Sequence, residues 1–196
     1  MPAKHRALLS KSIGRPCLWM NQKHGKSISV WQGGEPELKA ADIAIVDASK
    51  QDAVRAPAAC VVTADCVPIL FWSEAAPVWA AVHAGRVGLE LGVIDSTLEA
   101  LSDLLVTDLR YTIGPFICKE CYEVDQKTAE NWDSQFVRFT PTPHLDLAGY
   151  AKSQIGRRAI FVGPPPRCTL HDRGWYSYRG KKTQMRNVSY IYLPKN

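Results

Sequence analysis

Residues 58–85 have the sequence AACVVTADCVPILFWSEAAPVWAAVHAG, and this stretch decides the fold class. It contains three runs rich in Val, Ile and aromatic residues, at 58–63, 67–72 and 78–83, which predict three consecutive strands joined by short turns. An amphipathic helix is predicted over 88–105, because apolar side chains recur there at steps of three and four, at Leu91, Ile94, Leu98, Leu101 and Leu105. Consecutive strands followed by a helix indicate a fold that mixes the two kinds of element.

Further strands are predicted on both sides of this stretch. They lie at 18–22, 27–32, 43–46, 110–113, 158–162 and 188–193, and a second helix is predicted at 145–155. The order has no steady βαβ rhythm, and the sequence contains neither a G-x-G-x-x-G fingerprint nor a Walker loop, which disfavours a Rossmann or P-loop domain. We therefore predict an α+β (mixed α/β) fold, a layered sandwich of mixed β-sheet flanked by helices, in a single domain over 1–196.

Composition restricts the partners of the chain. Its 196 residues are 46% hydrophobic and 22% charged, as expected of a globular domain. The net charge of +5 is spread without a long basic block, so we expect no nucleic-acid partner. The longest uncharged apolar run, 75–85, is too short to span a bilayer, and 1–13 lacks the apolar run of a secretory signal. We expect a cytoplasmic protein with no membrane partner, and a monomer or a homodimer.

Six cysteines in a chain without an export signal are more often thiols or metal ligands than disulfide partners. Cys118 and Cys121 form a C-x2-C pair, and Cys168 and His171 form a C-x2-H pair, which together are a pattern for structural zinc. Against this reading, the gap between the pairs is long and the chain has an apolar core of its own. A redox dithiol is a further alternative, although no thioredoxin-like pattern surrounds the first pair.

A second group of candidate ligands lies at predicted strand ends. His24, Cys66 and His83 each stand at or just after such an end, and small residues follow both histidines. Two imidazoles and one thiolate make a zinc set with a fourth position left for water or substrate. Spacing alone favours the plainer interpretation, in which these residues are unrelated core and surface positions.

Four short sequence motifs stand out, and the first three of them contain His24, Cys66 and His83. They are NQKHG at 21–25, TADCVP at 63–68, AVHAG at 81–85, and IGPFI at 113–117 followed by CYEV at 121–124. In this order they resemble the YfiH family, which is also called the laccase-domain, polyphenol oxidase or purine nucleoside phosphorylase family. Weaker similarity continues at 145–147, 167–169, 176–179 and Arg186, so the resemblance extends from about residue 16 to residue 193.

The resemblance implies a cytosolic enzyme in which His24, Cys66 and His83 hold one zinc per chain, with copper as the alternative metal. It also implies a mixed α/β sandwich with the metal in a surface cleft. At 118–121 the family has a glycine-containing loop that leads to the pocket, so the resemblance favours free thiols at Cys118 and Cys121.

Two activities are described for the family: copper-dependent oxidation of phenols, and phosphorolysis of purine nucleosides with some deamination. A multicopper oxidase needs many histidines, and this chain has five. We therefore predict a zinc-dependent purine nucleoside phosphorylase acting on adenosine or inosine, with adenosine deamination as a second reaction. The alternatives are a copper polyphenol oxidase, a non-catalytic metal-containing binding protein, and a metal-free cysteine hydrolase that uses Cys66 with His83 as base.

Several other residues are predicted to serve the site. The catalytic set is Cys66, His83 and Arg86. Phosphate and ribose are assigned to Arg179 and Arg186, because guanidinium groups make bidentate contacts to oxyanions. Tyr122 is predicted to stack on the base or to fill the core. Asp65 and Gln22 are predicted to orient the ligands. For Asp65 the alternative is a cap on the turn.

The sequence departs from the family in two places. After HAG the family has Trp-Arg-Gly, whereas this chain has Arg86-Val87-Gly88, so the arginine has moved by one position. A one-residue shift points a side chain the other way on a strand or tight turn. The family's N-terminal motifs, Ser-Thr-Arg and Gly-Gly-Val-Ser, also have no counterpart before Pro16. We expect either a shortened member of the family or a start that lies upstream.

Overall fold

A computed structural model of the chain describes residues 2–194. The strands in chain order are β1 (Cys17–Leu18), β2 (Ile28–Trp31), β3 (Ile43–Asp47), β4 (Ala58–Thr63), β5 (Val67–Trp72), β6 (Val78–Ala84), β7 (Arg110–Ile113), β8 (Val137–Phe139), β9 (Pro143–Leu145), β10 (Ile160–Phe161) and β11 (Asn187–Ile191). The helices are α1 (Ala3–Ile13), α2 (Arg86–Glu90), α3 (Val93–Asp103), α4 (Gln126–Glu130), α5 (Leu147–Ile155) and α6 (Tyr178–Lys181), with one 3-10 turn at Ser134–Phe136.

The central sheet has six strands in the order β10-β7-β5-β6-β3-β2. Strands β3, β5, β6 and β7 pair antiparallel, while the edge strands β2 and β10 pair parallel with their neighbours. A second sheet has the order β1-β4-β11, and β8 with β9 forms a separate hairpin. The sheets are mixed, so the predicted mixed α/β fold is confirmed.

Apolar side chains cover both faces of the central sheet, and every residue of β6 is buried. One face packs against α3 and α5 through residues such as Ile94, Leu101 and Ile155. The opposite face packs against the second sheet, where Trp79 and Ala81 meet Ala59 and Val61. Burial on both faces explains why β4, β5 and β6 appear in the sequence as continuous apolar runs rather than alternating ones.

The sequence predictions differ from the structure in several places. The predicted helix at 88–105 is two helices, because Gly92 has a φ of +85° and separates α2 from α3. Of the predicted strand at 18–22, only Leu18 lies in a strand, β1, and beyond it Met20 forms an isolated bridge with Lys39. The sequence patterns did not predict α1, which has no buried residue and therefore no apolar stripe.

No helix within residues 2–194 has both the length and the apolar character needed to cross a bilayer.

Candidate functional site

Three candidate ligands meet where β5 and β6 pair. His83 lies opposite Pro68 in this antiparallel pair, and Cys66 immediately precedes β5, so both side chains lie at the same end of the sheet. His24 comes from the loop between β1 and β2, with a φ of +60°. One nitrogen of each imidazole and the thiol sulfur lie within 4.8 Å of one another. The structure thus brings together the three residues that the sequence singled out.

Asp42 holds this group of residues in place. Its Oδ1 lies 2.7 Å from Nδ1 of His83, and both residues are buried. The same carboxylate accepts backbone N–H bonds from Lys23, His24 and Gly25. Burial raises the pKa of Asp42, but the hydrogen bonds from His83, Gly25 and Lys23 outweigh it and lower the pKa to about 2. Asp42 is therefore ionised and accepts a hydrogen bond from Nδ1–H of His83, so Nε2 is the nitrogen that would bind a metal after losing its proton.

The pKa values of the Cys66 thiol and the His83 imidazole are shifted in opposite directions. Burial raises the pKa of Cys66, but hydrogen bonds from His24 and His83 reverse this and lower the pKa to about 6. Burial lowers the pKa of His83, and its hydrogen bonds with Asp42 and Cys66 more than compensate and raise it to about 9. The metal-free protein therefore carries a thiolate beside an imidazolium at neutral pH, and the thiolate is the form that binds metal or acts as a nucleophile.

Gly85 makes the close approach of the ligands possible. A Cβ at this position would lie 3.1 Å from the Cys66 sulfur and 3.1 Å from Cδ2 of His24. Those distances are shorter than ordinary van der Waals contact, so any side chain at position 85 would push the ligands aside. The glycine that follows the second histidine thus has a steric role at the site.

A cavity of about 700 Å³ opens above the three ligands. This volume lies within the roughly 300–1,000 Å³ of small-molecule sites. Its wall includes Tyr122, Arg179 and Arg186, the three residues assigned to substrate binding, together with Met20 and Tyr178. Aromatic faces and guanidinium groups beside a metal-ligand cluster suit a ligand with a planar ring and an anionic group.

Both arginines are held in the wall by carbonyl oxygens. Nη1 of Arg179 donates to the Glu123 carbonyl at 2.8 Å, and its guanidinium lies 5.2 Å from the centre of the Tyr122 ring. Nη1 of Arg186 donates to the carbonyls of Thr183 and Met185 at 2.7 and 2.9 Å. Neither arginine forms a salt bridge with an acidic side chain in residues 2–194, so their charges can attract an anion.

The side chains of Asp65 and Gln22, which were predicted to orient the ligands, hydrogen-bond to other partners in the structure. Asp65, with a φ of +96°, accepts from Oγ1 of Thr169 and from the backbone N–H of Arg179, both at 2.6 Å, and so joins the β4–β5 turn to the start of α6. The Gln22 amide pairs with the backbone of Val62 in both directions. Both residues line the cavity, but their side chains shape its wall rather than orient a ligand.

Sequence reasoning missed Asp42. One signal was present, because Asp42 stands between two alanines and the apolar run that begins at Ile43. A carboxylate directly before a buried strand is rarely fully buried without a partner.

Arg86, which was predicted to be catalytic, is the first residue of α2 and does not line the cavity. Its Nη1 donates to both carboxylate oxygens of Glu90, at 2.7 and 3.0 Å. The structure therefore pairs this guanidinium with Glu90 and places it beside Tyr122 of the cavity wall.

A second group of ligand-type side chains lies outside the cavity wall. The thiols of Cys118, Cys121 and Cys168 and a ring nitrogen of His171 lie within 4.8 Å of one another. The long gap between the two pairs was an argument against a shared site, and that argument is wrong. Phe116 and Cys168 form a parallel bridge that brings the two segments side by side.

Comparison with known proteins agrees with this arrangement. Residues 3–194 match the family described as multi-copper polyphenol oxidoreductase laccase. The chain belongs to this laccase-like YfiH family. Among curated members, it is 35% identical to "Purine nucleoside phosphorylase ORF3" of Streptomyces griseus over 192 residues, which cover 90% of this chain and 74% of that protein. It is 34% identical to "Purine nucleoside phosphorylase Rv2149c" of Mycobacterium tuberculosis over 206 residues, which cover 97% of this chain and 79% of that protein.

A solved YfiH-family structure has the same fold. The Neisseria meningitidis protein NMB0706 superposes with a TM-score of 0.79 at 27% identity, covering 97% of this chain and 80% of that one. The family description, the names of the relatives and the candidate ligand cluster together indicate an enzyme with a metal cofactor and a small-molecule substrate.

Proposed function

We propose that this YfiH-family protein is a zinc-dependent purine nucleoside phosphorylase that acts on adenosine or inosine. The observation that carries the proposal is the cluster of His24, Cys66 and His83 at the base of a cavity with two arginines in its wall. The curated relatives named purine nucleoside phosphorylase support the reaction class.

The three residues fit a catalytic zinc ion. Two imidazoles and a thiolate are a known donor set for zinc sites that keep a fourth position open. The absence of a side chain at Gly85 and the buried Asp42–His83 hydrogen bond both favour a preformed ligand set. Zinc held there would supply Lewis acidity toward an oxygen nucleophile.

The residues of the wall bind and orient the substrates. Tyr122 offers a ring face for the purine, and Arg179 and Arg186 offer N–H donors for phosphate. In phosphorolysis a phosphate oxygen forms a bond to C1′ of the ribose while the bond from C1′ to the purine nitrogen breaks. The purine leaves with the electron pair and takes up a proton, which gives the free base and ribose 1-phosphate.

The donor set also favours a second candidate function. Two histidines and one cysteine with a weak Met ligand are the set of blue-copper sites, and Met20 lines the same cavity. Copper at this position would support electron transfer from a phenol. A trinuclear cluster for oxygen reduction needs many more histidines, and the chain's five include only two in this group.

The decisive experiment incubates the purified zinc-loaded protein with adenosine or inosine, with and without phosphate, and separates the products by chromatography. We expect free base and ribose 1-phosphate only when phosphate is present. His83→Ala should abolish the reaction, and His5→Ala in α1 is the matched histidine control. Inosine formed from adenosine without phosphate would reveal deamination. Fast phenol oxidation with oxygen uptake after copper loading, and no phosphorolysis, would overturn the proposal in favour of the laccase function.

A further inference from the structure

The second cluster, Cys118, Cys121, Cys168 and His171, is built by two loops that the fold holds side by side. Backbone hydrogen bonds join them on both sides of Phe116, whose N–H donates to the Arg167 carbonyl at 3.1 Å and whose carbonyl accepts from Thr169 at 2.9 Å. This pairing fixes Cys168 beside the C-x2-C pair.

Local turns present the four side chains to one point. The N–H groups of Cys121 and Tyr122 both donate to the Cys118 carbonyl at 3.0 Å, which closes a tight turn around the C-x2-C pair. The backbone N–H of Cys118 also lies 3.4 Å from the sulfur of Cys168, a donor contact that favours a thiolate. On the other loop, the Asp172 N–H donates to the Cys168 carbonyl at 3.0 Å.

The spacing of the ligand atoms suits tetrahedral zinc. Bonds of about 2.3 Å to sulfur and 2.0–2.1 Å to nitrogen place the ligand atoms of such a site roughly 3.5–3.8 Å apart. Here the His171 ring lies beside two sulfurs, with Cys121 Sγ 3.0 Å from Nε2 and Cys118 Sγ 3.9 Å from Nδ1. A histidine binds one zinc ion through one nitrogen, so the 3.0 Å contact would lengthen by about 0.5 Å when zinc binds through Nε2. All four ligand atoms fall within 4.8 Å of one another, and the three cysteines are free thiols.

We propose that these four residues form a second metal site, a Cys3His zinc site with a structural role. Four protein ligands fill the coordination of tetrahedral zinc, which distinguishes this site from the three-ligand cluster under the cavity. The proposal does not depend on the reaction catalysed at that cavity.

The position of the site gives it a specific task. Cys121 directly precedes Tyr122, and the loop of Cys168 and His171 leads to α6, which carries Arg179. Tyr122 and Arg179 meet in the cavity wall. Zinc at the second site would therefore join the two chain segments that build this side of the pocket, in the way a disulfide would in an oxidising compartment.

Metal content measured on variants tests the proposal. Protein expressed with zinc and purified under reducing conditions should hold about two zinc ions per chain, measured by elemental analysis and native mass spectrometry. His83→Ala should retain one, and adding Cys118→Ser should remove it. Cys60→Ala is the matched cysteine control, because Cys60 lies in β4 and belongs to neither cluster.

Two further measurements keep the test decisive if Cys118→Ser folds poorly. His171→Ala removes an exposed ligand and should preserve the circular dichroism spectrum while losing one zinc. Cobalt loaded into the His83→Ala protein should give the strong thiolate-to-cobalt absorption of a tetrahedral site with several sulfur ligands, and His171→Ala should alter it. A His83→Ala protein that binds no metal, or a native disulfide between two of the three cysteines, would overturn the proposal.

Discussion

The buried carboxylate of Asp42 accepts a hydrogen bond from Nδ1 of His83 at 2.7 Å while three consecutive backbone N–H groups, at residues 23–25, also point to it. One side chain thus fixes the ring of one candidate ligand and the loop that carries another. Such an arrangement sets the tautomer of His83 and limits the freedom of His24 before any metal binds.

Asp42→Asn should weaken metal binding at the three-residue cluster about 10- to 100-fold, the usual effect of losing the partner of a ligating histidine. The amide keeps the size of the side chain but loses the charge that orients His83. Competition with a chelator measures the affinity. Asp47→Asn, at the half-buried end of β3, is the control and should bind metal as the wild type does. Equal affinity in both variants would contradict an orienting role for Asp42.

The pH dependence of Cys66 alkylation should report its interaction with the two histidines. The thiolate is the reactive form, and the pKa of Cys66 is lowered to about 6, so in metal-free protein the alkylation rate should rise with pH and reach half its maximum near pH 6. His83→Ala removes hydrogen-bonding and coulombic contributions that lower this pKa, so the curve should move to higher pH. Mass spectrometry of the Cys66 peptide after timed exposure to iodoacetamide gives the rate.

The Cys118 peptide in the same digests serves as an internal comparison for the alkylation of Cys66. Burial raises the pKa of Cys118, so its peptide should be alkylated only at higher pH than that of Cys66. Zinc added before the reagent should protect Cys66. A Cys66 profile centred near the ordinary thiol pKa of about 8.5 would show that the histidines do not stabilise its thiolate.

Gly85→Ala should lower metal affinity without unfolding the protein. The new methyl group would lie 3.1 Å from both the Cys66 sulfur and the His24 ring, so these ligands must move apart by a few tenths of an ångström. Gly25→Ala is the matched control, because its Cβ would meet Asp42 at 3.6 Å, an ordinary contact. Zinc affinity and the thermal midpoint, measured on both variants, separate loss of the site from loss of the fold.

Sequence reasoning predicted the strands most accurately where burial is complete. The predicted runs at 58–63 and 67–72 have the same bounds as β4 and β5, because these strands are apolar on both faces and end at turns. The helical pattern at 88–105 continued through the break at Gly92, but its two end positions, Leu91 and Leu105, are exposed. Only Ile94, Leu98 and Leu101, which lie in α3, are buried in the core, so the periodicity identified the buried face of α3 and not the extent of the helix.

Prediction of the site depended on which contacts are local. Strand ends and neighbouring sequence motifs identify His24, Cys66 and His83, so these residues could be selected from the sequence. The orienting carboxylate was assigned to Asp65, which is next to Cys66 in the chain, whereas Asp42 reaches His83 through the pairing of β3 with β6. The C-x2-C and C-x2-H pairs are also joined by a non-local contact, the bridge between Phe116 and Cys168. The sequence of neither segment indicates this bridge, so the two pairs seemed too distant to share a site.

Arg186→Ala should raise the KM for phosphate about 10- to 150-fold, since a hydrogen bond to a charged group contributes about 1.5–3 kcal/mol. Its effect on the KM for the nucleoside should be much smaller if the guanidinium contacts the anion alone. The side chain lines the cavity and its Nη1 is held by two carbonyls, so the group is positioned before phosphate arrives.

Arg186→Lys should restore little, because an ammonium group does not bind phosphate in bidentate fashion. Arg158→Ala, which loses a surface ion pair with Asp95 and a hydrogen bond to the Gln154 carbonyl, is the control. Initial rates with phosphate and inosine varied independently give both constants, and an equal rise in the two would indicate that Arg186 shapes the pocket as a whole instead of binding phosphate.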